Sequence, residues 1–224
     1  MVAARICQFY KNAYRFATMY DREKRIPMYS AYKCKSGNGQ RYQGWMIEPQ
    51  LVDPNLEKSM EDERDTNIPS AGIKQNQATF SDYAGTLNTE KGHLNPVSHQ
   101  PDEDSRAATS TLTNIVPQYS KLNQGEWANY ESRVKKEAEA CRDLYVIVGA
   151  VPGSEYVSDR RVNKPSHIWS ATCCLLDRNR RDSWGAIAKN SENKVRETSL
   201  GDLQKELAEL YGKGKVDLFN SGCK

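Results

Sequence analysis

Histidine, closely paired cysteines and long apolar runs are scarce in this sequence. Its 224 residues include only three histidines, and no two cysteines have the spacing of a CxxC pair. This argues against a zinc ribbon or a dithiol redox site. No apolar run is long enough to span a bilayer as a helix. No internal repeat and no low-complexity segment is visible either.

A large excess of either charge is also missing. The chain has 32 Lys and Arg residues against 29 Asp and Glu, a net charge of +3, so any binding of a polyanion must come from a local basic patch. Only 38% of the residues are hydrophobic and the mean hydropathy is −0.81, which predicts a modest core surrounded by polar loops and exposed helices. At this length we expect residues 1–224 to form a single domain.

Six cysteines are scattered along the chain, and two of them are adjacent. An even number at long spacings suits a disulfide framework in an oxidising compartment, although six buried thiols in a cytosolic protein remain the alternative. We expect two neighbouring cysteines to bond different partners, because they would point to opposite faces of a strand. Six cysteines allow about 15 pairings, and the sequence leaves the pairing open. The cysteines are Cys7, Cys34, Cys141, Cys173, Cys174 and Cys223.

The opening residues bear on the compartment. Met1 to Ala4 is too short for a signal peptide. We therefore expect a secreted or lumenal protein whose leader has been removed.

Hydrophobic patterning predicts an α+β fold. Strands and helices mix without the regular alternation of βαβ units, which favours this class. Residues 53–75 are polar and predict a surface loop. Asn123 is expected to cap a helix that carries a stripe of Trp127, Tyr130, Val134 and Ala138, and Ser199 is expected to open a second helix. The predicted strands are residues 28–33, 42–47, 111–117, 144–151 and 167–176.

Three polar residues stand out as a candidate metal site. His93 lies between a glycine and a Leu-Asn-Pro turn, while Asn123 and Glu131 are eight residues apart in the predicted helix. They differ by about 80° in azimuth, so they lie on roughly one side. Oxygen ligands of this kind suit a hard cation such as Mg²⁺. The ordinary alternatives are a chance turn residue, a helix cap and a surface pair of Glu131 with Lys135.

The sequence motifs around these residues are more specific. The chain contains EKGH at 90–93, a TNIVPQ segment at 113–118, and LNQGEW at 122–127 with Glu131 four residues past the tryptophan. In this order the motifs resemble the DNA/RNA non-specific endonucleases of the ββα-metal (His-Me finger) class, whose pattern is DRGH, SNxxPQ and LNQxxW with the same glutamate. The resemblance covers nearly the whole chain and is nearest to the vertebrate endonuclease domain-containing 1 proteins.

The resemblance implies a fold and a mechanism. The fold would be a central, mainly antiparallel sheet flanked by helices, with a ββα finger as the active site. His93 would be the general base that takes a proton from water, and Asn123 would bind one Mg²⁺ or Mn²⁺ directly. Glu131 would orient metal-bound water. Cleavage of DNA and RNA would leave 5′-phosphate ends.

Further residues follow from the same resemblance. Asn114 and Gln118 would brace the site by hydrogen bonds. Glu90 and Lys91 stand where the family has Asp and Arg, and lysine lacks the guanidinium fork that grips phosphate through two bonds. His99 is expected to have a structural, hydrogen-bonded role.

Basic residues outside the motifs are candidates for holding the nucleic-acid backbone. Lys135, Arg160 and Arg161 could bind phosphates without reading bases, or could be ordinary solvated surface residues. Two other functions fit the chain: a catalytically silent nucleic-acid-binding relative, and a disulfide-stabilised protein-interaction module. The intact set of motifs favours the endonuclease. The sequence is silent on oligomeric state.

Overall fold

The computed structural model describes residues 2–178, 180–220 and 222–223, which contain thirteen β-strands and five α-helices. The strands are β1 (Ala3–Tyr10), β2 (Ala13–Asp21), β3 (Ile26–Cys34), β4 (Met46–Ile47), β5 (Glu61–Asp62), β6 (Thr89–His93), β7 (Ile115–Tyr119), β8 (Asp143–Val151), β9 (Glu155–Val157), β10 (Val162–Lys164), β11 (His167–Leu175), β12 (Arg181–Lys189) and β13 (Arg196–Thr198). The helices are α1 (Ser70–Asn76), α2 (Glu103–Ala108), α3 (Ser120–Gln124), α4 (Glu126–Glu137) and α5 (Leu200–Leu210).

A seven-stranded sheet in the order β1-β2-β3-β8-β11-β12-β13 is the frame of the molecule. Every neighbouring pair in it is antiparallel. The predicted strands at 144–151 and 167–176 are the central strands β8 and β11, and they read as nearly continuous apolar runs because both faces of the sheet are covered there. The expected α+β class with a mainly antiparallel sheet is confirmed.

Helices cover the two faces of this sheet. Ile168 and Trp169 are adjacent in β11 and therefore point to opposite faces, and each belongs to a different hydrophobic cluster. The cluster around Ile168 contains the predicted stripe of α4, with Trp127, Tyr130 and Val134 buried. The cluster around Trp169 is completed by the leucines of α5, which begins where predicted because the Ser199 hydroxyl accepts a hydrogen bond from Asp202 N over 3.1 Å.

Some predicted elements have different bounds. The segment at 42–47 is a strand only over Met46–Ile47, and the one at 111–117 begins as a 3-10 turn (Leu112–Asn114) before β7. Residues 53–75 contain β5 and most of α1 within their loops. Strands β1 and β2 were not predicted, because their outward-facing positions carry a mixture of polar and apolar side chains.

The prediction that Asn123 caps the long helix is wrong. Asn123 lies in the last turn of α3, and the chain breaks at Gly125 before α4 starts. The cap of α4 comes from a distant loop, where Asn193 Oδ1 accepts from Glu126 N over 2.8 Å. A Cβ at Gly125 would lie 2.5 Å from Asn193 Oδ1, so the break requires glycine.

Two disulfides attach other segments of the chain to strand β11, one on each face of the sheet. Cys141 bonds Cys174, and Cys173 bonds Cys223, which confirms that the adjacent cysteines have different partners. The remaining cysteines are free thiols, Cys7 exposed and Cys34 buried. The two bonds indicate an oxidising environment. Among the residues described, no helix combines the length and the apolarity needed to cross a membrane.

Candidate active site

A β-hairpin followed by a helix builds the site. Strands β6 and β7 pair antiparallel with His93 opposite Ile115, and the chain passes directly from β7 into α3. This ββα unit brings the EKGH and LNQ motifs to one cavity of about 490 Å³. The cavity is lined by Glu90, Lys91, His93, Asn123 and Glu131, together with Arg41, Trp45, Tyr83, Thr89, Pro96, Val97 and Ser98.

Gly92 is required by the close packing of the hairpin. It lies opposite Val116, and a Cβ built on it would sit 2.1 Å from Gln118 Oε1 and 2.6 Å from Gln118 Cβ. The Gln118 side chain is 1% exposed, and its amide nitrogen and oxygen have no hydrogen-bond partner within the described structure. Gln118 therefore packs against the Gly92 backbone, and the hydrogen bonds expected of its side chain are not observed among the described residues.

Asn114 lies behind the cavity and holds the turn that follows His93. Its Oδ1 accepts from Asn95 N over 3.0 Å, and its Nδ2 donates to the carbonyl oxygens of Asn95 (3.0 Å) and Thr109 (2.9 Å). The Ser30 hydroxyl donates to the same Oδ1 over 2.8 Å. With its side chain fully buried, Asn114 can only act through the backbone it positions.

His93 presents an unused ring nitrogen. Its Nε2 is buried and has no hydrogen-bond partner among the described residues. The ring packs against Trp45, with 5.6 Å between the ring centroids. Burial is the main reason that the pKa of His93 falls to about 3, and the positive charges of Arg41 and Lys91 contribute to this lowering. The imidazole is therefore neutral at pH 7, which is the protonation state of a base.

Glu90 orients the two amides of the LNQ motif. Its carboxylate accepts from Asn123 Nδ2 over 2.9 Å and from Gln124 Nε2. Because the nitrogen of the Asn123 amide is committed to Glu90, the oxygen is the end left for a ligand. In the described part of the chain no cluster of three His, Cys, Asp or Glu side chains could hold a metal. An ion here would keep most of its waters, as Mg²⁺ commonly does, so the residues present fit such an ion.

Glu131 lies in the cavity wall beside this pair. Burial raises the pKa of its carboxyl to about 8, with the indole of Trp127 opposing the shift. Its backbone oxygen bonds His99 Nε2 at 2.9 Å, while His99 Nδ1 is 3.0 Å from the Tyr32 hydroxyl. Both ring nitrogens of His99 are thus occupied, and its expected structural role is confirmed.

The aromatic surroundings of Lys91 were not predicted from the sequence. Its Nζ lies 4.9 Å from the ring centroid of Phe80, 5.5 Å from that of Trp45 and 5.9 Å from that of Tyr83. Burial lowers the pKa of Lys91, and nearby Arg41 lowers it further while Glu90 opposes the shift. Arg41 and Trp45 precede β4 and belong to no recognisable motif, so the only signal in the sequence is an arginine four positions before a tryptophan.

The basic residues proposed outside the motifs do not line the cavity. Arg161 donates from Nε to Asp82 Oδ1 over 2.8 Å and from Nη2 to the Lys74 carbonyl over 2.9 Å, so its guanidinium is used inside the protein. Arg160 is exposed and its guanidinium carbon lies 5.9 Å from the Tyr156 ring centroid. Lys135 lies one turn beyond Glu131 on α4.

Comparison with known proteins agrees with this arrangement. The family model of the DNA/RNA non-specific endonucleases matches residues 3–220. The human Endonuclease domain-containing 1 protein is 33% identical over 98% of this chain and 43% of its own length, and the mouse protein of that name is 30% identical with the same coverage. This chain thus spans less than half the length of these relatives.

Two further matches have lower sequence identity. The mouse protein "Nuclease EXOG, mitochondrial" is 25% identical over 68% of this chain and 40% of its own length. A chain in the crystal structure of the EndoG/EndoGI complex superposes with a TM-score of 0.65 at 15% identity, covering 92% of this chain and 84% of that one. That structure shares the fold. By its motifs, its cavity and the match over almost its full length, this chain belongs to the DNA/RNA non-specific endonuclease family.

Proposed function

We propose that this chain is a metal-dependent endonuclease that hydrolyses the phosphodiester bonds of DNA and RNA without selecting the sugar. One observation carries the proposal. The unpartnered Nε2 of His93 and the oriented amide of Asn123 belong to the wall of a single cavity of about 490 Å³. This shared cavity supports the proposal that His93 serves as a base and Asn123 as a ligand for a hard cation.

His93 would act as the general base. Its neutral imidazole can take a proton from a water molecule, so that hydroxide attacks the phosphorus. The low pKa of His93, which follows from its burial and from the cations beside it, weakens the base in the free protein. A bound phosphate would bring negative charge next to the ring and raise that pKa towards the working range.

Asn123 would hold the metal ion through its amide oxygen, with Glu90 fixing the amide and Glu131 orienting water nearby. The chemistry supplied by a bound Mg²⁺ or Mn²⁺ would be Lewis-acid stabilisation of a phosphate oxygen and of the leaving 3′-oxygen, leaving 5′-phosphate ends. A nearby cation would also favour the ionised form of Glu131, whose pKa burial raises to about 8.

Positive charge in the cavity suits a sugar-phosphate backbone. Lys91 and Arg41 line it, and contacts to phosphate carry no information about base or sugar. Lys91 would bind phosphate through a single ammonium, where the family's arginine offers a planar fork. We expect a looser grip on the scissile phosphate than in relatives with arginine.

Supercoiled plasmid and a single-stranded RNA test the proposal. Both should be cleaved with Mg²⁺ or Mn²⁺, cleavage should stop with a chelator, and His93→Ala should be inactive. His167→Ala is the matched control, because His167 is a half-buried histidine outside this cavity. Binding without cleavage would favour a silent nucleic-acid-binding relative. Neither binding nor cleavage would favour a protein-interaction module.

The proposed compartment is secreted or lumenal. The bonds Cys141–Cys174 and Cys173–Cys223 support it, since such bonds persist where thiols are oxidised. Protein recovered from the medium or the secretory lumen of expressing cells should carry both bonds in a non-reducing peptide map. Fully reduced cysteines in protein from intact cells would contradict this localisation.

A further inference from the structure

Phe80 is an exposed aromatic residue beside the cavity. Half of its surface (50%) is open to solvent, and the Nζ of the cavity residue Lys91 lies 4.9 Å from its ring centroid. A single exposed apolar side chain is ordinary on a protein surface. What distinguishes Phe80 is the way its backbone is held.

The short 3-10 helix that carries Phe80 (Phe80–Tyr83) is anchored by a buried carboxylate. Asp82, 2% exposed, accepts from Thr79 N over 2.8 Å, from Ser158 Oγ over 2.6 Å and from Arg161 Nε over 2.8 Å. The backbone nitrogen of Phe80 itself donates to Glu63 Oε2 over 2.7 Å. The turn is therefore fixed from inside the protein while the ring of Phe80 is left uncovered.

The other two rings around Lys91 are less accessible to a ligand. Tyr83 is buried, and its hydroxyl donates to the Ile115 carbonyl over 3.2 Å. Trp45 is partly covered by the ring of His93. Of these three rings, Phe80 is the only one that is exposed, whereas Trp45 is half-buried and Tyr83 is buried.

We propose that Phe80 stacks on an unpaired base next to the scissile phosphate, which gives the site a preference for single-stranded or locally unpaired nucleic acid. This inference rests on the proposed nuclease function and names the form of its substrate. Every base has a π-face, so stacking tolerates all sequences and suits an enzyme that reads none. A base inside a duplex has its faces covered by its neighbours and must leave the stack to reach such a ring.

Lys91 would help to hold a nucleic-acid strand with one of its bases next to Phe80. Lys91 lines the cavity that contains His93, and its ammonium also lies 4.9 Å from the centroid of the Phe80 ring. A phosphate bound to Lys91 would therefore have its neighbouring base within reach of Phe80. The cation next to the ring also adds attraction for the strand's negative charge.

Binding in the presence of a chelator tests the stacking without cleavage. The probes are a short single strand and the matching duplex, each carrying 2-aminopurine, whose fluorescence falls when it stacks. For the single strand, Phe80→Leu should remove most of the quenching and weaken binding about five- to tenfold, while duplex binding changes little. Phe80→Trp should restore both signals.

Tyr14→Ala is the matched control for this experiment. Tyr14 is 65% exposed and has the Nζ of Lys58 at 5.7 Å from its ring centroid, but it does not line the cavity. It should leave binding and quenching unchanged. Equal melting temperatures of the variants would show that the fold is intact, as expected for changes at exposed rings.

The cleavage assay separates the two proposals. In the Phe80→Leu variant the ratio of single-strand to duplex cleavage should fall, through a raised KM with kcat nearly unchanged. Unaltered quenching and an unaltered ratio, in a protein that cuts plasmid, would overturn the stacking and leave the nuclease intact. Phe80-dependent quenching in a protein that binds but never cuts would support stacking while the nuclease proposal fails. A protein that binds neither probe overturns both.

Discussion

Asn123 Nδ2 donates a hydrogen bond to Glu90 Oε2 over 2.9 Å, which ties α3 to the strand β6 that ends at His93. The same carboxylate also accepts from Gln124. One glutamate thus sets the orientation of the amide proposed to bind the metal and its position relative to the proposed base. The negative charge of Glu90, which stands at the first position of the EKGH motif, has a physical use here: it fixes which end of the Asn123 amide is free.

Glu90→Gln should weaken metal-dependent cleavage. The substituted amide can donate as well as accept, so it no longer forces Asn123 to present its oxygen to the cavity. We expect the Mg²⁺ concentration for half-maximal cleavage to rise roughly 10- to 100-fold, as for other residues that orient metal ligands. Glu155→Gln, which removes an exposed carboxylate outside the cavity, is the control. An unchanged Mg²⁺ dependence would show that Glu90 does not orient the ligand.

Asn123→Ala should abolish cleavage and leave the fold nearly intact. Asn123 is not a helix cap, so truncating it removes no cap and only the hydrogen bond to Glu90 at the cavity wall. We expect a loss of stability within about 1 kcal/mol, measured by chemical denaturation. Extensive unfolding of this variant would instead assign the residue a structural duty.

Gly92→Ala should disturb the hairpin through Gln118. The new methyl group would meet Gln118 Oε1 at 2.1 Å and Gln118 Cβ at 2.6 Å, an overpacking that costs about 1–3 kcal/mol. Activity should fall with stability, because His93 is the next residue.

The matching double variant, Gly92→Ala with Gln118→Gly, removes the whole side chain that the new methyl group would meet. Its loss of stability should be smaller than the sum of the two single losses. Gly201→Ala is the control, because the nearest atom to a Cβ there, Ser199 Oγ, is 4.0 Å away. Additive losses would mean that Gly92 is needed for another reason.

His99→Ala should destabilise the protein strongly at neutral pH. It leaves the Tyr32 hydroxyl without its partner, removes the additional bond to the Glu131 carbonyl and opens a cavity, at a cost of about 2–4 kcal/mol. Burial lowers the pKa of His99 to about 4, with its bond to the Glu131 carbonyl opposing the shift.

The lowered pKa of His99 determines how its contribution to the free energy of unfolding changes with pH. The pKa of His99 is lower in the folded protein than the value of about 6.5 expected in the unfolded chain. Its neutral ring therefore contributes its full stabilisation of the fold above about pH 6.5, and this contribution is lost as the pH falls towards 4. Denaturation at several pH values should therefore show the gap between the unsubstituted protein and His99→Ala narrowing across this range. A difference in unfolding free energy that grows as the pH falls would contradict the conclusion that His99 is buried and neutral.

The sequence predicted what depends on neighbours along the chain. Strands β8 and β11 are long apolar runs, and Ser199 begins α5 through a local cap. The proposed metal ligand Asn123 follows the proposed base His93 by 30 residues. The two residues lie on a hairpin and on the helix that follows it. A short ββα unit folds its motifs together through local contacts, so the order of the motifs was enough to identify it.

Contacts between distant segments were decided only by the tertiary structure. Arg41 and Trp45 line the cavity from the segment before β4, Arg161 turns inward to Asp82, and Asn193 supplies the cap first assigned to Asn123. Periodicity and spacing report which face of an element is buried, but they carry no information on which remote residue meets that face. The sequence by itself therefore determined the family and the ββα site, while the packing of the whole chain determined the site's charge, its aromatic wall and the disulfide pairing.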